Sequence, residues 1–194
     1  MSLLALTATA PMEMPEERSR VIESAKAGDL SAFEQVMREH ERLVLMTALR
    51  LLGRLEDAQD ASQEVFLRLY RNLSKVETPT LAAWLYRVTV NVCHDLRRKP
   101  APTAGIEDVP EPVAADPDPQ RLTTEAERRR ALTLSLRVLS EKERAAVVLR
   151  DLEGLSTDEV ARILGSSEAT VRSQVSKARV KIREFLERYF RRRT

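Results

Sequence analysis

Residues 155–181 read LSTDEVARILGSSEATVRSQVSKARVK, and this stretch decides the fold. Ser156 with Glu159 three residues on forms a capping box, in which hydroxyl and carboxylate each satisfy an orphan backbone N–H. The box predicts a short helix over Thr157–Leu164, closed by Gly165, the residue that enters a left-handed cap at least cost. Ser166 and Ser167 then make a tight turn into a long helix from Glu168. Val160, Ala161 and Leu164 can pack on Val171, Val175, Ala178 and Ile182, and the small Ala161 lets the two helices cross steeply. That is the pattern of a helix-turn-helix. The outer face of the long helix carries Ala169, Ser173 and Ser176 flanked by Arg172 and Lys177. Small hydroxyls suit base edges and long cations suit phosphates. From residue 168 to 193 there are nine Lys/Arg against three Glu, a local positive field that the net charge of +2 conceals.

Working outward, a second capping box, Ser140 with Glu143, starts the preceding helix, and Gly154 sits where a C-terminal cap belongs. These elements predict a module over residues 122–191. Upstream of it lie six of the nine prolines (Pro100, Pro102, Pro110, Pro112, Pro117, Pro119), together with five acids and no Lys or Arg over 101–119. Such a composition predicts an extended acidic linker over 100–121.

Before the linker, residues 16–99 predict another helical module. Phe33, Val36, Met37, Val44, Thr47, Ala48 and Leu51 follow helical spacing up to Gly53. A second helix is expected over about 57–73, with Ala58, Ala61, Val65, Leu69 and Leu73 inward. A third follows Pro79, its apolar stripe made by Leu81, Trp84, Leu85, Val88, Val92 and Leu96. Residues 1–15 read as a disordered tail, since no positive charge precedes the short apolar group Leu3, Leu4 and Leu6. The expected fold is all-α: two small helical domains on a flexible, proline-rich acidic tether, the second a helix-turn-helix.

Several function classes fall away. Cys93 is the only cysteine, so no intramolecular disulfide forms, and no Cys/His cluster offers a zinc site. A reducing, cytoplasmic setting is expected. No run approaches the roughly 18 apolar residues of a membrane span. Asp57, Asp60 and Glu64 could be imagined as metal ligands with His40 or His94, but no HExxH, glycine-rich phosphate loop or nucleophile elbow accompanies them. The reading is of a non-enzymatic protein without a cofactor.

The stretch Leu155 to Gly165, with Thr170-Val171-Arg172-Ser173 and Lys177-Ala178-Arg179, resembles the promoter-reading module of the extracytoplasmic-function sigma factors of bacterial RNA polymerase. DAQDASQEVFL (57–67) and AWLYRVTVN (83–91) resemble the N-terminal module of the same family. The resemblance implies a subunit that brings core polymerase to promoters, and it gives roles to surfaces that the residues alone leave open. On the second helix Asp57, Asp60, Glu64, Arg68 and Arg71 share one outward stripe by the helical period, with Gln63 beside it. The resemblance implies that Asp57, Asp60, Gln63, Glu64 and Phe66 dock on the clamp helices of the largest polymerase subunit. It implies that Arg87, Asn91, His94 and Arg98 on the third helix, with the aromatic-free loop 72–80, read and melt the −10 element. Thr170, Arg172, Ser173, Ser176, Lys177, Arg179 and Arg183 are implied in −35 recognition, and an anti-sigma protein in regulation. Gln174 stands where members often carry Arg, and Ser176 where they often carry a larger residue. A response-regulator-type regulator is the rival reading, but it requires a strand-containing receiver domain, and the N-terminal half has no strand periodicity.

Overall fold

The computed structural model describes residues 15–98 and 119–191. The expected tail and acidic linker fall almost wholly outside them. Eight helices are described: α1 (Pro15–Lys26), α2 (Leu30–Leu52), α3 (Leu55–Asn72), α4 (Leu81–Arg98), α5 (Pro119–Arg137), α6 (Glu141–Val147), α7 (Thr157–Leu164) and α8 (Glu168–Arg191). Among the described residues there is no strand, and no helix is long and apolar enough to cross a membrane.

Local chemistry sets the helix ends. Asp29 caps α2 by accepting from the Ser31 and Ala32 amides at 2.9 and 3.2 Å. Gly53 ends the helix at φ 79°, and its N–H donates to the Leu49 carbonyl at 2.8 Å. A Cβ there would be strained and would lie 3.4 Å from the Arg137 guanidinium. Both predicted capping boxes form, at Ser140/Glu143 on α6 and Ser156/Glu159 on α7. Helix α1, which lacks a strong apolar period, escaped the sequence reading, and α5 starts at Pro119, three residues before the expected boundary at 122.

Helices α1–α4 pack around Val36, Val44, Ala58, Val65, Leu69 and Leu85, all completely or almost completely buried. In the second half, α6 runs into a π turn over Val148–Leu152, where the Glu153 N–H reaches the Val148 carbonyl at 2.9 Å. The π turn feeds the α7–α8 pair.

The two modules pack against each other. Leu136, Leu139, Val147 and Val148 share one apolar cluster with Leu51, Val92 and Cys93. Tyr86 of α4 lies in a second cluster with Leu149, Val160, Ala161, Val171 and Val175 of the second module. The physical reason is a second apolar stripe on α4, Tyr86, Val90 and Cys93 at i, i+4 and i+7, beside the one that faces α2 and α3. Burial pushes the Cys93 thiol up to about 12.

Arg144 anchors the junction. It is 4% exposed and donates to the carbonyls of Leu136 (2.7 Å), Leu139 (2.9 Å) and Leu51 (3.0 Å). Leu51 lies in the last turn of α2, Leu136 in the last turn of α5, and Leu139 two residues past its end. One guanidinium thus serves the orphan carbonyls, and the negative dipole ends, of two helices from different modules.

Candidate nucleic-acid interface

Helix α8 is set by its inner face, where Val171, Val175 and Ala178 are buried against α6 and α7. That burial turns Arg172, Ser173, Ser176, Lys177, Arg179 and Arg183 outward, all exposed. Three of the expected contact groups already have partners. The Thr170 hydroxyl lies 2.8 Å from that of Ser167, which also accepts from the Thr170 amide at 3.1 Å. Arg179 forks onto Asp151 of the π turn, with Nε–Oδ2 at 2.8 Å and Nη2–Oδ1 at 2.7 Å. This hydrogen bonding raises the guanidinium's proton affinity further. Arg172 pairs along the helix with Glu168. Lys181 reaches inward to the buried Glu143 at 2.8 Å, and this bond, with those from Ser140, holds the carboxyl below its usual range.

On α4 the residues Arg87, Asn91, His94 and Arg98 form one exposed stripe, as the period required. His94 Nε2 lies 3.0 Å from Glu141 Oε2 at the rim of an inter-module cavity of about 330 Å³. Val90, Cys93, Arg97, Thr170 and Gln174 also line this cavity, so of the α4 stripe only His94 borders the same space as the start of α8. The loop before α4 is pinned at both ends. Leu73 and Val76 are buried. Thr78 donates to Glu23 of α1 at 2.7 Å and accepts from Lys26 at 3.1 Å.

On α3, Asp60 and Gln63 are exposed, and Asp57 and Glu64 are part-exposed on the same side. Arg54 lies 3.9 Å from Asp57, and Arg68 donates to Glu64 at 2.7 Å, which tempers the repulsion between the acids. Phe66 requires a correction. It is 7% exposed and belongs to the core, because nine residues at about 100° each place it half a turn from Asp57. The apolar groups on the open side are Leu67 and Tyr70, 50% and 59% exposed.

Sequence reasoning missed a polar node between the modules. Glu153 Oε1 accepts from Thr47 at 2.9 Å and from Arg50, and Oε2 accepts from the Tyr86 hydroxyl at 3.3 Å. Burial, with the Glu153 charge beside it, pushes the Tyr86 phenol up to about 12. A tyrosine in line with Val90 and Cys93 was the available signal.

The chain matches the family described as Sigma-70 region 2 over residues 36–102, on the first module, and Sigma-70, region 4 over residues 129–182, on the second. It is 40% identical over 164 residues to the ECF RNA polymerase sigma factor SigM of Mycobacterium tuberculosis, with 82% of this chain and 80% of that one covered. It is 35% identical to the RNA polymerase sigma-E factor of Streptomyces coelicolor, covering 82% and 88%. Against SigE of Mycolicibacterium smegmatis it is 33% identical and spans 63% of that protein's length. The fold is similar to that of CnrH solved with the cytosolic domain of CnrY, at a TM-score of 0.64 and 24% identity over 88% of this chain and 96% of that one. Two separate regions matched in order, each on the module whose surfaces suit it, leave one conclusion: the chain belongs to the extracytoplasmic-function sigma factors of RNA polymerase.

Proposed function

We propose a division of labour among three exposed helical faces of this sigma factor, which directs promoter-specific transcription. The outward side of α3, with Asp57, Asp60, Gln63 and Glu64, docks on the clamp helices of the largest core subunit, and Leu67 and Tyr70 supply apolar contact. The stripe Arg87, Asn91, His94 and Arg98 on α4, with the loop 72–80, reads the −10 element. Exposed residues of α8, led by Arg172 and Ser173, read the −35 element, and Ser176 and Lys177 lie beside them. Thr170, Arg179 and Arg183 flank them, the two arginines as phosphate holders.

The observation that carries this reading is the exposure of all three faces on helices whose opposite sides are core. Exposed acids on α3 favour a basic partner, and exposed cations on α8 favour phosphate. Acting on polymerase and DNA places the protein in the cytoplasm, and no cofactor enters this role. An anti-sigma protein is a further partner in this reading, supported by a similarly folded sigma factor, RpoE of Bartonella quintana, described in complex with the anti-sigma factor NepR.

Run-off transcription with sigma-free core polymerase tests the assignment. Asp60→Lys with Glu64→Lys should abolish core pull-down and promoter-specific transcripts while the helical circular dichroism stays unchanged. A double variant that binds core as tightly as the parent would move the docking surface elsewhere.

A further inference from the structure

The two parts of the −10 reader differ in how they keep their shape. The stripe on α4 belongs to a long helix, whose own hydrogen bonds fix it. The loop 72–80 has only two short 3₁₀ turns, Leu73–Lys75 and Thr78–Thr80, and must be shaped from outside. Its exposed side chains are Ser74, Lys75, Glu77, Pro79 and Thr80. A base turned out of the stack would meet backbone and small polar groups there, with no ring to stack on. Selection by such groups depends on placement, since a hydrogen bond weakens steeply away from its preferred distance and angle.

Helix α1 supplies the hold. Its Ile22 and Ala25 are buried in the cluster that also takes Leu73 and Val76 of the loop. Beside this apolar pin, Glu23, Lys26 and Thr78 close a ring of hydrogen bonds. Lys26 Nζ donates to Glu23 Oε1 at 2.9 Å and to Thr78 Oγ1 at 3.1 Å. Thr78 Oγ1 in turn donates to the same Glu23 oxygen at 2.7 Å. The bonds from Lys26 and Thr78 hold the Glu23 carboxyl below its usual range. The Lys26 side chain is 17% exposed, so its ammonium serves this ring and is not offered to a phosphate. Thr78 passes the constraint on, because its carbonyl accepts the N–H of Leu81, the first residue of α4. Helix α1 is itself fixed: Ser24 Oγ donates to Asp29, the cap of α2, at 3.1 Å.

We infer that α1 is the positioning element of the −10 reader, and that Glu23 and Lys26 govern base selection through Thr78 without touching DNA. Held as both donor and acceptor, Thr78 sets the orientation of the loop about its pin at Leu73 and Val76. Released, the loop stays pinned, but its polar groups no longer stand at fixed places, and preferred and non-preferred bases are bound more nearly alike. The inference rests on the −10 role assigned to this loop above.

The test uses holoenzyme made from the full chain and core polymerase. Templates differing by single bases in the −10 element, and as an internal control in the −35 element, compete in run-off transcription. Lys26→Met and Glu23→Ala should each lower the ratio of preferred to non-preferred −10 base roughly two- to tenfold, the effect of lost hydrogen bonds. The −35 ratio and core pull-down should not change. Thr78→Val, which keeps the shape and removes the hydroxyl, should act likewise, whereas Thr78→Ser should keep the parent's ratio. Where circular dichroism shows that an α1 variant fails to fold, the Thr78 pair decides.

Variants that transcribe every template less by one common factor, with the −10 ratio intact, would reveal a merely structural ring and overturn the inference. So would a Thr78→Ser protein as indiscriminate as Thr78→Val. A parent that accepts every −10 base alike would instead sink the −10 reading itself, whatever the variants do.

Discussion

Arg144 shows how far a single residue can act and how little of that is written locally. In the sequence it is one more cation in a charged helix, three residues after Glu141. In the fold it is buried and holds the ends of α2 and α5 together. Arg144→Ala should lower unfolding stability by about 3 kcal/mol, because several buried carbonyls lose their donor at once. Arg144→Lys should recover little, since an ammonium cannot fork between carbonyls set apart by a guanidinium's width. Urea denaturation checks both, and a lysine variant as stable as the parent would contradict the forked anchor. The capping residues Ser140, Ser156 and Gly165 were legible because their partners lie three or four residues away. Leu51, which Arg144 reaches in the first module, and Thr47 and Arg50, which hold Glu153, lie about a hundred residues away, and no local pattern encodes them.

At the scale of elements, α8 was the most legible, since one apolar stripe fixes its orientation and leaves the rest exposed. What the stripe could not show was which exposed cations already have partners. Arg179 must release Asp151 before it can hold a phosphate, whereas Arg172 has only an exposed pair with Glu168 to leave. In holoenzyme, Arg172→Ala should relax preference at one −35 position, at a cost of about 1–3 kcal/mol there. Arg183→Ala should weaken all sites alike and reduce the salt slope by about one. Binding to −35 variants at two salt concentrations separates the two, and an Arg172→Ala holoenzyme with unchanged preference and slope would remove α8 from the base contact. Helix α3 taught a related lesson about register. The helical period sets Asp57, Asp60 and Glu64 on one side, whereas Phe66, implied only by the resemblance, lies half a turn away in the core.

For the whole molecule, the proline-rich stretch marked the joint between modules but carried no information on whether they touch. Docking resides in the second stripe of α4, whose Tyr86, Val90 and Cys93 lie beside a stronger apolar stripe that accounts for the helix's packing on α2 and α3 by itself. A protease site inserted between residues 105 and 110 should therefore yield two pieces that still elute together at the parent's volume. Pieces that separate under native conditions would show that covalent tethering, and not the shared core, keeps the modules in contact. The carbonyl of Leu51 adds an order to how this core is completed. It accepts from Arg97, 46 residues later in the chain, at 3.1 Å and from Arg144, 93 residues later, at 3.0 Å. A carbonyl has two lone pairs, so neither donor displaces the other. At roughly 5–20 residues per second on the ribosome, Arg97 emerges some seconds before Arg144. The nascent first module can therefore close around Arg97 while the second is still being made, and it presents the remaining lone pair as a prepared landing point for the half that follows.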